Sequence, residues 1–389
     1  MRRGARGVRR VAGVAEYGDR AGRLGIRVKL FETAELGALN LRNRIVMAPL
    51  TRTRAGEHGI PNDLLVEYYR QRASVGLVIT EGTWPVQEGR SYLGQPGIET
   101  EEQIAGWRRV TDAVHAEGGT IVMQLMHGGR VSHTSISATP RIVGPSALAA
   151  PGEAHAPEGK VAMPVPHELT HDEVKQAVAQ HVQAARNAIA AGLDGVEVHG
   201  ANGYLVHQFL SPASNQRSDE YGGSPENRAR FAIEVVTAVA AAIGADRVGI
   251  RLSPQHNIQG ALEEDDADAL ATYTAVAAGI APLGVAFVDV LQADIASDLV
   301  QTIRTTAGAP LIVNTGFSSV TTRESALALL DAEHGDAVAV GRAVIANPDL
   351  VHRWEHDEEL NEPRPEHFYG VTGEGYTDYP TLAEVRGAA

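Results

Sequence analysis

The chain has 389 residues, 43% hydrophobic and 21% charged, which supplies one large buried core and excludes a disordered or fibrous protein. A formal net charge of −14 excludes an extended nucleic-acid surface, which needs a basic stripe to displace counterions, but leaves room for a small anion held by one or two arginines. The absence of cysteine excludes disulfides, thiolate metal sites, iron–sulfur clusters and cysteine nucleophiles, and no apolar run reaches the length of a membrane span.

Residues 1–28 hold eight arginines against Glu16 and Asp19, and are too broken by glycine and charge for the apolar stretch of a signal peptide. They read as a disordered extension or as a start placed too far upstream, with a transit peptide as a third reading. The folded domain is expected over 29–389.

From Leu30 onward, short β-branched runs alternate with longer amphipathic stretches. The runs are Arg44 to Leu50, Gly76 to Thr80, Thr120 to Leu125, Gly195 to His199, Arg247 to Arg251, Val285 to Val290, Pro310 to Asn314 and Ala337 to Val340. Each is short and nearly continuous in apolar residues, as strands buried on both faces should be. Helical patterns lie between them, for example Ile104 to Glu117, Glu173 to Ala191 and Asn227 to Ile243. Ser224 can cap the last of these, and Pro225 stands at its first position, where no N–H is needed. Eight such units predict a single parallel (β/α)8 barrel. A doubly wound open sheet is the alternative, but its G-x-G-x-x-G turn after the first strand is missing. The longest interruption, Met126 to Thr170, is rich in Gly, Pro, Ser and Ala. As a long excursion after the third strand, it predicts a lid or wall of the site, with 132–160 its least patterned part.

Barrel active sites collect at the carboxyl ends of the strands. Those ends carry Thr51, Glu81 and Gly82, Gln124, then His199, Asn202 and Tyr204, then Arg251, Asn314 to Gly316, and Gly341 with Arg342. The three lysines, Lys29, Lys160 and Lys175, lie elsewhere, so Schiff-base chemistry has no nucleophile. No close pair of histidines accompanies the carboxylates, and no metal site is expected.

The turns around Gly316 and Phe317, and around Gly341 and Arg342, fit the two loops that commonly cradle a phosphate in barrels. The plainer alternative makes Arg342 a surface arginine. His199 and Asn202, three residues apart, would share a face if a helical turn begins there, and two donors aimed at one oxygen polarise a carbonyl or nitro group. Tyr204 would reach the same substrate from another side as a proton donor. Alternatively His199 is a core histidine and Tyr204 a packing residue. Gln124 and Arg251 suit the polar edge of a flat heterocycle, or else line the barrel as partners of Glu197 and Asp289.

Taken together, the motifs resemble the Old Yellow Enzyme family. Asn43 to Arg52 is similar to its first-strand motif, Val196 to Leu205 to its catalytic segment, and Ser214 to Phe231 to its most recognisable stretch. Arg247 to Pro254, Val340 to Leu350 and Phe368 to Gly370 also match, in the same order, over about Leu30 to Thr381. The resemblance implies a non-covalent FMN. Thr51, with Pro49 and Leu50 before it, would meet the flavin near N5; Gly82 would pass close to the ring, and Gln124 and Arg251 would hold the pyrimidine edge. Gly316, Phe317, Gly341 and Arg342 would clasp the phosphate. His199 and Asn202 would bind the activating oxygen of an α,β-unsaturated carbonyl or nitro compound. Hydride would pass from flavin N5 to the β-carbon while Tyr204 protonates the α-carbon. Tyr369 and Met126 would line the pocket, and NADPH or NADH would reduce the flavin first, in ping-pong order.

Thr51 resembles the branch with threonine there; another uses cysteine. Met126 departs from the tryptophan many members carry, which widens the pocket. The expectation is a cytoplasmic ene-reductase acting on small electrophilic alkenes or nitro compounds, monomeric or homo-oligomeric, with no nucleic-acid or membrane partner. Two alternatives stand beside it: a phosphate-binding barrel isomerase or lyase with His199 as general base, and a non-catalytic flavin sensor.

Overall fold

The structure is a computed structural model that describes residues 28–387. Apart from Val28, the expected extension at the head lies outside the described residues. Eight parallel strands close into a barrel: β1 (Ile45–Met47), β2 (Leu77–Ile79), β3 (Ile121–Leu125), β4 (Gly195–Gly200), β5 (Val248–Leu252), β6 (Phe287–Leu291), β7 (Leu311–Asn314) and β8 (Ala337–Val340). Chain neighbours pair throughout, and β8 closes on β1 through Val338 beside Ile45.

A helix follows each strand: α1 (Asp63–Gln71), α2 (Glu101–Ala116), α3 (His171–Ala190), α4 (Pro225–Ile243), α5 (Asp266–Ile280), α6 (Asp298–Ala307), α7 (Arg323–Asp331) and the short α8 (Arg342–Ala346). Start signals written in the sequence are used. The Ser224 hydroxyl accepts from the Asn227 N–H with Pro225 at the first position of α4, while Thr100 and Thr170 form reciprocal caps on α2 and α3.

Alternation along the strands divides the interior into layers. Val46, Leu77, Val122, Phe287 and Ile312 face inward and form an apolar floor with Leu36, Leu39 and Leu41. Those leucines belong to a hairpin, Ala34–Leu36 with Leu39–Leu41, that plugs the amino-terminal end of the barrel. It is absent from the expected elements because three-residue strands carry too few side chains to show a period. Further along β3 to β7, the same inward phase yields Gln124, Glu197, His199, Arg251, Asp289 and Asn314, all buried. The outward phase, including Val196, Val198, Ile250 and Val288, packs under the helices.

The excursion after β3 contains a short helix, Thr134–Ser137, a hairpin pairing Glu153–Ala156 with Gly159–Ala162, and a bridge between Val143–Gly144 and His167–Glu168. It is more regular than its composition suggests, again in pieces of two to four residues. Ala150 and Val131 from it pack with Met126 and Tyr204, so it forms a wall of the barrel mouth.

Candidate active site

The polar upper layer is built from pairs. Gln124 Nε2 donates to Glu197 Oε1 at 2.8 Å, and Arg251 forms an ion pair with Asp289 on the adjacent strand. Both pairings foreseen as the barrel-lining alternative therefore exist. They do not exhaust the groups, because Arg251 Nε, Glu197 Oε2 and Asp289 Oδ1 are buried without a partner. Burial first, then the charge of Asp289, pushes the Glu197 carboxyl well above the usual range. Burial also raises Asp289, against the pull of Arg251.

His199 lies in β4, and Asn202 follows in left-handed backbone at φ 56°. The helical turn expected to align them does not exist. The helix Leu205–Leu210 starts only after Tyr204, which stands at its N-cap position. A strand end followed by a left-handed turn carries the three residues instead, with the His199 and Tyr204 rings 5.1 Å apart at 44°. His199 Nδ1 and Asn202 Oδ1 are both buried and unpartnered. Burial, then the charges of Arg251 and His207, hold the His199 imidazole well below its ordinary range, so it is neutral.

The Tyr204 phenol has a partner the sequence did not disclose: Tyr92, whose oxygen lies 2.6 Å away. Tyr92 sits in the loop after β2 with no periodic context; its only sequence signal is its place at the carboxyl end of a barrel strand. Burial raises both phenols, and Tyr369 lies near enough to raise them further. Tyr369 itself is 68% exposed at the rim.

Glu81 closes β2 and organises the end of β1. Its Oε2 accepts the Arg52 and Thr53 N–H groups, each at 3.0 Å, which fixes the backbone just after Thr51. Arg52 and Arg54 then fasten the tail, donating to the Phe368 carbonyl at 2.9 and 3.0 Å next to Tyr369. A Cβ on Gly82 would come 2.5 Å from Met126 Sδ and 3.3 Å from Gln124 Oε1, so glycine, methionine and glutamine crowd one spot.

On the opposite side, Arg342 Nη2 donates to the Phe317 carbonyl at 2.6 Å, joining the loops after β7 and β8. Gly316 has φ 93°, and a Cβ there would meet nothing closer than 3.8 Å, leaving its backbone approachable. Leu50 lies 3.5 Å from where a Cβ of Gly341 would stand, which brings the end of β1 beside this cradle. Phe317 is half exposed and meets His256 edge-on at 4.9 Å. The mouth thus offers orphaned donors and acceptors over its centre and a glycine–arginine cradle at one side. This is the donor set a flat heterocycle with a phosphate tail requires, so the residues fit FMN. No group of three His, Asp or Glu that could hold a metal occurs among the described residues.

Comparison with known proteins bears on the family and the fold. The sequence profile of the NADH:flavin oxidoreductase / NADH oxidase family matches residues 29–361. A Leishmania infantum protein named "Probable flavin mononucleotide-dependent alkene reductase" is 43% identical over 357 residues, covering 89% of this chain and 96% of its own. The solved old yellow enzyme homologue from Zymomonas mobilis superposes with a TM-score of 0.86 at 39% identity, covering 91% of this chain and 100% of that one. Morphinone reductase in complex with tetrahydroNAD gives a TM-score of 0.85 at 42% identity, covering 92% and 98%.

Proposed function

Because the chain belongs to the NADH:flavin oxidoreductase / NADH oxidase family, and is thus an FMN-dependent oxidoreductase of the alkene-reductase kind, we propose that it reduces small enones and nitroalkenes at the expense of NADPH or NADH. The observation that carries this reading is the orphaned, buried His199 Nδ1, on a ring 5.1 Å from that of Tyr204, whose phenol burial holds protonated. Bound FMN would supply the chemistry the side chains lack, accepting hydride from the nicotinamide and delivering it to the β-carbon.

In this proposal Gln124 and Arg251 hold the pyrimidine edge, Thr51, preceded by Pro49 and Leu50, faces the ring near N5, and Gly82 lets it approach. Gly316, Phe317, Gly341 and Arg342 hold the phosphate. His199 and Asn202 bind the carbonyl or nitro oxygen and stabilise the negative charge that develops there. Tyr204 gives its proton to the α-carbon, and Met126, Tyr92 and Tyr369 line the pocket. A neutral imidazole pushed far below its ordinary range is a poor base, which counts against an isomerase or lyase using His199 for proton abstraction. The proposal also places the enzyme in the cytoplasm, as a monomer or homo-oligomer of one domain.

An absorbance spectrum tests it. The purified protein should be yellow, bleach with NADPH or NADH under anaerobic conditions, and recolour with cyclohexenone. Protein that neither retains nor takes up FMN would end the proposal, and one that binds FMN yet never recolours with enone, nitroalkene or quinone would be a sensor.

A further inference from the structure

Asn202 and Tyr204 are presented by a turn whose internal bond, from the Tyr204 N–H to the Ala201 carbonyl, is long at 3.3 Å. Asn202 at φ 56° and Gly203 at φ 78° are both left-handed, a region that asparagine and glycine enter more readily than other residues. A single peptide plane joins them, carrying the Asn202 carbonyl on one edge and the Gly203 N–H on the other. Its rotation would swing Asn202 and Tyr204 apart.

Both edges of that plane are held. The Gly203 N–H donates to His207 Nδ1 at 2.8 Å, and the Asn202 carbonyl accepts from Gln259 Nε2 at 2.8 Å. Because His207 Nδ1 is an acceptor, its ring proton is on Nε2, which lies 3.1 Å from Glu263 Oε1. Glu263 is buried and also accepts from the Tyr273 hydroxyl at 2.9 Å. Its other oxygen takes the Gln255 N–H at 2.7 Å, and its own N–H donates to Asn257 Oδ1 at 2.7 Å. Those two bonds brace a loop in which Gln255, Asn257 and Gln259 are left-handed at φ 57°, 51° and 56°. Strain repeated at three residues persists only where the surroundings impose it. The loop's product is the placement of Gln259.

We propose that Glu263 is the positioning residue of the active site: through His207 on one side and the Gln255–Gln259 loop on the other, it clamps the Asn202–Gly203 peptide plane. It touches neither substrate nor cofactor and acts only by fixing where Asn202 and Tyr204 point. The inference rests on the ene-reductase reading of those two residues.

The test is a mutant cycle on FMN-loaded enzyme, reading reoxidation of the reduced flavin by cyclohexenone in a stopped-flow instrument. Glu263→Gln keeps the volume but meets two sets of donors with one acceptor oxygen. It should slow reoxidation about tenfold in the parent and less than twofold in an Asn202→Ala, Tyr204→Phe background, where nothing remains to be positioned. His207→Leu should follow the same pattern, and His207→Asn, which restores an acceptor for the Gly203 N–H, should recover most of the loss. Equal fold-losses in both backgrounds would mark a general packing role and overturn the proposal, as would no loss in the parent. If Glu263→Gln fails to fold, Tyr273→Phe, which removes one bond from the carboxylate, and the two His207 variants carry the same comparison. A parent enzyme that never reoxidises with enone overturns the ene-reductase reading, and this inference with it.

Discussion

The phenol oxygens of Tyr92 and Tyr204 lie 2.6 Å apart, from loops after β2 and β4, the two strands that flank β3. Burial raises the Tyr204 phenol, while its bonds to Tyr92 and Gln259 pull it back toward ordinary acidity. Tyr92→Phe should therefore leave Tyr204 a weaker acid and slow cyclohexenone reduction several-fold. With a phenol raised in both proteins, the rate should show no loss from Tyr204 ionisation below about pH 10. Stopped-flow rates from pH 6 to 10 check both statements; a fall centred near pH 8 would contradict the second.

Tyr204→Phe removes the proton donor itself. General acid catalysis is worth about 10²–10⁴-fold, so reoxidation by an enone should slow at least 100-fold, by a rough estimate, while flavin reduction by NADPH or NADH changes less than about threefold. Equal damage to both half-reactions would remove Tyr204 from the role assigned.

Asp289 neutralises Arg251 in the layer where the flavin's pyrimidine edge is placed. In Asp289→Asn the guanidinium loses its counter-charge and should favour the electron-rich reduced cofactor. The two-electron potential should rise by about 30 mV for each tenfold gain in relative affinity. Dye equilibration measures it, and a potential unchanged or lowered would place Arg251 away from the ring. The cofactor-free variant should also be less stable, by about 3 kcal/mol, as expected for a buried pair missing one partner.

Arg342→Ala should weaken FMN binding. A charge-assisted bond is worth about 1.5–3 kcal/mol, which is roughly 10- to 100-fold in Kd. Titration by quenching of FMN fluorescence decides it. Gly82→Ala should weaken binding by another route, since its Cβ would displace Met126; Gly82→Ala with Met126→Ala should recover part of the loss.

His127 supplies a pH dependence of stability. Burial, then the charge of His181, lowers its imidazole to about 3, and its Nδ1 accepts the Gly129 N–H at 3.1 Å. An unfolded histidine takes its proton near 6.5, so the stability this residue contributes is complete above that pH. It is lost as pH falls toward 3, at up to about 1.4 kcal/mol per pH unit. Buried carboxyls such as Glu81, raised by desolvation, work in the opposite sense, so the contrast between proteins is the readout. His127→Asn, which keeps an acceptor for Gly129, should lose less Tm than the parent between pH 7 and pH 5.

The sequence by itself determined the barrel, because eight apolar runs separated by capped amphipathic stretches leave a parallel closed sheet as the arrangement that buries them all. It also placed Gln124, His199 and Arg251 at the carboxyl ends of their strands, where barrel sites collect. Tertiary structure alone decided that a left-handed turn rather than a helix links His199 to Asn202, that Tyr92 is the partner of Tyr204, and that Glu263 reaches back to the Asn202–Gly203 peptide. These contacts join loops from different strands, 112 positions apart in the tyrosine pair and 56 between His207 and Glu263. Period and propensity act over a few neighbours and say nothing about which loop tips meet. The pairing of neighbouring parallel strands brings those tips to one rim.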